Sequence, residues 1–211
     1  MNSAPRHQCL IYEGSPSKHL AAIAAVIQQR LNLRYRCLCL NSPPMIAGMR
    51  SYLAATGVDV LQEVARGSLI FSSAQSHLRD GKFDIDYMME TLRSSLEKAR
   101  SDGYAGLWAT GDMSWEFGPE KDFSRLLEYE CRLEEFIREN PDMGGICQYH
   151  SGTLPRMYLR QALLTHRELF HNETLSHINP HYLSSCAITQ EAIDNPDLEL
   201  ALKRLLSEQT A

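Results

Sequence analysis

Residues 104–118, with the sequence YAGLWATGDMSWEFG, decide the predicted fold. The apolar run at residues 104–109 has no helical period and leads into residues 110–112, which favour a turn. We therefore predict that a buried strand of a parallel sheet ends here. Ligands of open α/β sheets bind at the carboxyl ends of the strands, so the residues after this strand are the first candidates for a binding site.

Those residues combine two acids with two aromatic side chains within six positions: Asp112, Trp115, Glu116 and Phe117. Carboxylates that fix a polar group beside aromatic surface are typical of a small-molecule pocket. In the alternative interpretation, Trp115 and Phe117 pack beneath a loop and both acids are solvated.

The composition is that of an ordinary globular protein, with 44% apolar and 22% charged residues in a chain of 211. A formal net charge of −5 at pH 7 argues against a nucleic-acid-binding surface, which usually has an excess of basic residues. The longest apolar stretch, residues 20–27, is too short for a membrane span of about twenty residues. Residues 1–8 show no signal peptide pattern. We expect a cytoplasmic protein with no direct nucleic-acid or membrane partner.

The cysteines are scattered without CxxC spacing, and several lie in strand-like apolar runs. Buried, reduced thiols are the usual fate of such residues in a cytosolic protein. We therefore expect no disulfide framework among the six: Cys9, Cys37, Cys39, Cys131, Cys147 and Cys186.

Strands and helices alternate along the chain. Strands are predicted at residues 7–12, 36–40, 68–71, 104–109, 144–150 and around 169–175. Helices are predicted from Pro16, through Met49 and Leu53, at 59–65, 85–100, 119–140, 154–164 and 195–207. Without a repeat or a flexible linker, this order predicts one three-layer α/β domain over residues 1–211, with a mainly parallel sheet and helices on both faces.

The order of the elements, together with particular residues, resembles the MEDS family, the methanogen and methylotroph sensory domain. No single piece is specific, but their order and spacing carry the resemblance across about 170 residues. The matching pieces are residues 7–12, 67–69, 106–115, 147–149 and His166.

The resemblance implies a fold like that of the RecA/KaiC ATPases with the ATPase site degenerated. Family members are regarded as sensors, for small hydrocarbon derivatives among others, and are found fused to helix-turn-helix modules or histidine kinases. It implies here a free-standing, non-catalytic sensory domain that binds a small molecule and signals to a separate kinase or transcription regulator. The sequence names no cofactor and leaves self-association open.

The first strand ends in a turn at residues 14–19, where a P-loop would lie. This turn lacks the second glycine and the Lys-Ser/Thr pair, and Pro16 removes one backbone donor. Ordinary ATP hydrolysis is therefore not expected. A helix N-terminus still attracts anions, so an anion at Ser17 and Lys18 stays an alternative. A divergent nucleotide-dependent enzyme would use Asp112 and Glu116 with magnesium.

Histidine and cysteine suggest a second kind of site. His7 and Cys9 lie two apart on a strand and so face the same side. If the sheet is ordered as in RecA relatives, Cys147 and Tyr149 lie on the neighbouring strand. We therefore predict a metal set of His7, Cys9 and Cys147, against the alternative of a core thiol and one hydrogen-bonded histidine. The tract with His166, His171, His177 and His181 is read as a polar or ligand-contacting loop.

The main prediction is a ligand pocket at the carboxyl ends of the strands. Its predicted ligand-binding residues are Tyr12, Glu13, Ser17, Lys18, Asp112, Trp115, Glu116 and Tyr149. A remaining alternative is a pure interaction protein that binds its partner through the exposed faces of the helices at 85–100 and 119–140.

Overall fold

The structure is a computed structural model that describes residues 6–74 and 77–208. Two sheets lie within these residues. The strands of the large sheet are β1 His7–Tyr12, β2 Arg36–Leu40, β3 Leu69–Ser72, β6 Leu107–Asp112, β7 Met143–His150, β8 Glu168–Asn172 and β9 Leu175–Ile178. The small hairpin consists of β4 Leu78–Arg79 and β5 Lys82–Phe83.

Helices fill the connections between the strands. They are α1 Leu20–Asn32, α2 Pro43–Ala55, α3 Val60–Ala65, α4 Ile85–Ser101, α5 Met113–Glu116, α6 Leu126–Glu139, α7 Arg156–Thr165, α8 Gln190–Ile193 and α9 Pro196–Glu208. Short 3-10 turns at Pro16–His19 and Ser185–Ala187 precede α1 and α8. No helix in the described part of the chain has the length and apolar character needed to cross a membrane.

The large sheet has the strand order β3-β2-β6-β7-β1-β8-β9. All neighbouring strands are parallel except β9, which runs antiparallel to β8. β1 lies beside β7, with Cys9 directly opposite Cys147. The expected proximity of these two strands is therefore confirmed.

Two hydrophobic cores cover the two faces of this sheet. On the first face, α1, α2 and α3 pack on alternate residues of the strands, including Leu10, Cys39 and Trp108. On the second face, α4, α6, α7 and α9 pack on the other set, including Cys9, Leu107 and Cys147. We call these the α1 face and the α6 face. The arrangement is a three-layer α/β fold, as predicted.

The organising strand starts later than predicted, at Leu107 rather than residue 104. Tyr104 lies just beyond α4 in the turn that ends this helix, where its backbone N–H donates to Ala99 O. At the other end, residues 110–112 stay in the strand because they pair with Ile146, Cys147 and Gln148 of β7. The predicted turn is therefore wrong, and α5 follows the strand directly.

Three further boundaries differ from the predictions. α6 begins at Leu126 rather than residue 119, because residues 117–125 form turns. The strand expected around 169–175 is a hairpin of β8 and β9. The predicted loop at 72–82 contains β4. Its residues 75 and 76 lie outside the described part of the chain. The same holds for residues 1–5 of the segment in which we looked for a signal peptide.

The thiol prediction is confirmed wherever the structure describes the side chain. Cys9, Cys37, Cys39 and Cys147 are buried free cysteines, and Cys131 is a partly buried one. The side chain of Cys186 lies outside the described part.

Candidate functional site

Four buried side chains converge between the α6 face of the sheet and the helices that cover it. His7 opens β1, Cys147 lies in β7, Glu130 projects from α6, and His166 directly follows α7. One donor atom from each of them lies within 4.8 Å of the others. We call these four residues the polar centre.

The donor atoms of the polar centre are close enough to share one small partner. His7 Nε2 lies 3.4 Å from Glu130 Oε2 and 3.5 Å from Cys147 Sγ. Glu130 Oε2 also lies 3.5 Å from His166 Nε2 and 3.9 Å from Cys147 Sγ. The two imidazole rings are 3.9 Å apart between centroids. One glutamate oxygen thus faces three potential ligands at once.

A surrounding set of hydrogen bonds fixes each of these side chains. His7 Nδ1 donates to Glu134 Oε2 at 3.0 Å, and His166 Nδ1 donates to Ala162 O at 2.8 Å. The Tyr149 hydroxyl donates to the second oxygen of Glu130. In each case the outer bond leaves the inner atom directed at the centre, which is how proteins orient metal-binding histidines.

Burial and charge act against each other in this centre. Burial lowers the pKa of His7, but the carboxylates of Glu130 and Glu134 outweigh it and raise the pKa overall. Burial would raise the pKa of Glu130, yet His166 and His7 hold it below its usual range. Burial lowers the pKa of His166 to about 4, so this imidazole is neutral at pH 7. Burial and the Glu130 charge raise the pKa of the Cys147 thiol.

A small internal cavity of about 30 Å³ lies beside His7 and Cys147. By its volume it has room for roughly one water molecule. Two glycines in its wall are tightly approached by other atoms: a Cβ at Gly111 would lie 1.5 Å from Glu116 Oε1, and one at Gly145 would lie 2.0 Å from Ala109 O. A side chain at position 145 would collide with backbone that cannot move aside, whereas one at position 111 would displace the Glu116 carboxyl group from this cavity.

Glu116 reaches this cavity from α5 and is 1% exposed. Its Oε2 has no hydrogen-bond partner among the described residues. Burial, together with the charges of Glu130 and Asp112, raises the pKa of Glu116 well above its usual value. The folded structure therefore favours the protonated form of this carboxyl group.

A larger pocket of about 450 Å³ opens at the surface near the amino ends of β1 and β8. We call it the surface pocket. His7 and Glu134 form part of its wall, so it adjoins the polar centre. Glu134 also accepts hydrogen bonds from Arg167 Nε at 2.7 Å and from the Tyr182 hydroxyl at 3.1 Å. The carboxylate of Glu134 therefore links the surface pocket to the buried histidine.

The predicted ligand residues at the carboxyl edge do not form one pocket wall. Asp112 lies on the α1 face, where the Tyr12 hydroxyl is 3.5 Å from its carboxylate. The same carboxylate caps α5 by accepting the Trp115 N–H at 3.1 Å. Glu116 and Tyr149 lie on the opposite face, in the cavity and beside the polar centre. The sheet separates these two pairs.

The other predicted ligand residues lie in the turn after β1. Glu13, Ser17 and Lys18 are exposed, and Ser17 Oγ lies 2.7 Å from Ser15 Oγ. His150 Nε2 donates to Gly14 O at 2.8 Å and fastens the turn to the end of β7. An anion site at Ser17 and Lys18 stays a prediction.

The predicted metal set is partly brought together. His7 and Cys147 belong to the polar centre, whereas Cys9 is not among its donor atoms. Sequence reasoning missed Glu130, Glu134 and the special position of His166. A signal was present: both glutamates lie on the apolar stripe of α6 marked by Leu126, Leu133 and Ile137, where an acid is unexpected.

Fold and site together define a three-layer α/β domain with a buried polar centre next to a surface pocket. The chain belongs to the MEDS family, described as the MEthanogen/methylotroph, DcmR Sensory domain, whose family model matches residues 6–167. All four residues of the polar centre lie within the matched range. A search of curated proteins finds no match. Membership of this family suggests a sensory role.

Proposed function

We propose that this chain is a non-catalytic sensory domain that binds a small molecule in the surface pocket and passes the bound state to a separate regulatory protein. The observation that carries the proposal is the shared wall of pocket and centre. His7 and Glu134 both line the pocket. His7 is also a member of the polar centre, and Glu134 accepts a hydrogen bond from it. A ligand that contacts Glu134 therefore acts on His7 through a single hydrogen bond.

The size and charge of the surface pocket suit a small molecule with an anionic or strongly polar group. Its volume of about 450 Å³ falls within the usual range for ligand pockets, about 300–1,000 Å³. Arg6 pairs with Glu168, and Arg167 pairs with Glu134. Arg138 also lines the pocket and forms no ion pair within the described part of the chain. The pocket thus carries one uncompensated positive charge.

The edge of the sheet next to this pocket supports the signalling part of the proposal. Ile178 at the end of β9 lines the pocket and is 81% exposed. It lies on the edge strand of the sheet, which offers unpaired backbone groups to a partner. A ligand in the surface pocket would contact Ile178 and so change the exposed edge of the sheet at β9, where a regulatory protein could bind.

Thermal unfolding in the presence of small carboxylates, phosphates and substituted one- to four-carbon compounds tests the proposal. A ligand at 100 times its Kd stabilises the folded protein by about 2.7 kcal/mol. For a chain of this size, that corresponds to a rise in Tm of roughly 5–10 °C. We expect the active compound to be recovered chemically unchanged after prolonged incubation with the protein.

Two arginine variants on α6 locate the binding. Arg138→Ala is expected to weaken binding of an anionic ligand about tenfold, because one charge-assisted hydrogen bond is lost. Arg132→Ala, on the same helix but paired with Asp86 away from the pocket, serves as the control and should leave affinity unchanged. Equal affinity in both variants would place the ligand elsewhere, and conversion of the compound would make the protein an enzyme.

A further inference from the structure

We propose that His7, Glu130, Cys147 and His166 bind one divalent transition-metal ion of the zinc type. The donors are His7 Nε2, His166 Nε2, Cys147 Sγ and Glu130 Oε2. This inference goes beyond the sensory function, because it does not depend on any ligand in the surface pocket.

The distances between the donor atoms fit the edges of a tetrahedron around such an ion. Bond lengths of about 2.3 Å to sulfur and about 2.0–2.2 Å to nitrogen or oxygen place tetrahedral donors roughly 3.3–3.6 Å apart. The four contacts that link Glu130, His7, Cys147 and His166 measure 3.4, 3.5, 3.5 and 3.9 Å. Side-chain adjustments of a few tenths of an ångström would bring these four edges into the tetrahedral range, and the two remaining edges, from His166 to His7 and to Cys147, measure at most 4.8 Å.

The hydrogen bonds around the centre leave lone pairs where a cation is needed. His166 donates from Nδ1 to Ala162 O, so the lone pair of the neutral ring lies on Nε2. That buried nitrogen has no hydrogen-bond partner among the described residues, and it faces a Glu130 oxygen 3.5 Å away. Two acceptors facing each other in a buried site repel, and a metal ion between them turns the repulsion into two bonds.

His7 is oriented in the same way by a different acceptor. Its Nδ1 donates to Glu134, which directs Nε2 towards Glu130 and Cys147. A carboxylate behind one histidine and a backbone carbonyl behind the other are the two usual supports of metal-binding imidazoles. The ligand types, two imidazoles with a thiolate and a carboxylate, suit zinc and its transition-metal neighbours.

The charges also balance. A divalent cation with one thiolate, one carboxylate and two neutral imidazoles has no net charge, so a site that is almost wholly buried is not left with an unpaired ion. On binding, four coordinate bonds form and the Cys147 S–H bond breaks. The thiol proton, and any proton on His7 Nε2, pass to solvent. No electron is transferred.

The surface pocket provides the path by which an ion would enter, since His7 and Glu134 lie in its wall. Cys9 is excluded from the ligand set although it lies opposite Cys147 in the sheet. The proposed set thus differs from the sequence-based one: Glu130 and His166 take the place of Cys9.

Cobalt(II) titration of untagged protein, stripped with a chelator, tests the site. We expect one cobalt ion per chain, visible absorption of a tetrahedral complex and a near-ultraviolet thiolate charge-transfer band. Zinc(II) should displace cobalt and raise Tm. Cys147→Ser should abolish the charge-transfer band, and His166→Ala should weaken binding by at least ~100-fold, more than the loss of an outer partner causes.

Cys9→Ser is the matched control, because it removes a buried thiol beside the centre without removing a donor. It should keep both the affinity and the charge-transfer band. Circular dichroism of each metal-free variant checks folding, and Cys147→Asp provides a second variant with an acidic donor that should bind cobalt without the band. Wild-type protein that is folded and binds no cobalt would overturn the proposal, as would loss of the band in Cys9→Ser.

Discussion

The two faces of the sheet carry similar pairs of thiols in very different surroundings. On the α1 face, Cys37 and Cys39 lie among the side chains of α1 and α2 and next to Trp108. On the α6 face, Cys9 and Cys147 lie beneath α6, which contributes Glu130. Burial alone raises the pKa of Cys39 to about 12, whereas the pKa of Cys147 is raised by burial and by the charge of the nearby Glu130 carboxylate. The helix that covers a buried thiol therefore decides whether that thiol has only apolar neighbours or also polar groups that could share a ligand with it.

The largest effect should come from removing the glutamate that distinguishes the α6 face. Glu130→Ala leaves His7, His166 and Tyr149 without their common partner in a buried site. We expect the free energy of unfolding to fall by about 3–5 kcal/mol. Urea unfolding followed by circular dichroism measures it.

Glu139→Ala is the control for that change, since it removes an exposed glutamate from the same helix. It should alter the free energy of unfolding by less than about 0.5 kcal/mol. If the two substitutions lower the free energy of unfolding equally, the polar centre does not stabilise the fold. The proposed difference between the α1 face and the α6 face would then be wrong.

Serine in place of cysteine compares the two faces directly. In Cys39→Ser the hydroxyl is buried among apolar groups, and we expect a loss of about 1–3 kcal/mol. In chelator-treated Cys147→Ser the hydroxyl can donate to Glu130 or His7, so the loss should stay below about 1 kcal/mol. Both are read from urea unfolding with a chelator present. The reverse order would mean that Cys147 is an ordinary core residue.

The pH dependence of stability tests the buried acid of the cavity. Because the pKa of Glu116 is raised on folding, its favourable contribution is complete below the unfolded pKa, about 4.3, and is lost as pH rises through the folded pKa. Glu116→Gln removes this loss. We expect the variant to be more stable than wild type by about 1–2 kcal/mol at pH 8, with a much smaller gain at pH 5.

Glu120→Gln, at an exposed position after the same short helix, provides the comparison. Its stability relative to wild type should not change between pH 5 and pH 8. A gain for Glu116→Gln that is equal at both pH values would show that Glu116 binds the same number of protons in the folded and unfolded states over this range, so that folding does not raise its pKa.

The smallest effect is expected at the carboxyl edge. Asp112→Ala removes the cap of α5 and should cost about 1 kcal/mol, whereas Asp112→Asn keeps an acceptor oxygen and should cost a few tenths. Urea unfolding measures both. If magnesium with ATP stabilises wild type and Asp112→Asn loses that stabilisation, the carboxylate binds a ligand and the contrast between centre and edge weakens.

The sequence was most informative where local pattern decides structure. β1 and β2 match their predicted bounds because apolar runs between turn residues leave little choice. β6 was predicted too early, since the pairing of residues 110–112 with β7 outweighs their turn preference. The carboxyl end of β6 is thus set by pairing with a strand that is distant in sequence, which a short stretch of sequence cannot reveal.

The site was harder to predict because its members come from four separate elements. His7 and Cys147 were predicted together from strand alternation and the expected strand order, and that proximity is confirmed. To predict Glu130 and Glu134, one must know how α6 is rotated about its axis against the sheet. To predict His166, one must know the residue at which α7 ends. The position of the surface pocket, at the amino ends of β1 and β8, runs against the general rule that ligands bind at the carboxyl ends.

Native mass spectrometry of freshly purified, untagged protein, incubated with zinc(II), desalted and compared with a denatured sample, tests the central claim about the polar centre most directly. The account predicts a native mass that exceeds the denatured mass by one metal ion per chain, and loss of that excess in His166→Ala. A native mass equal to the denatured mass would contradict it, as would an excess that is undiminished in His166→Ala.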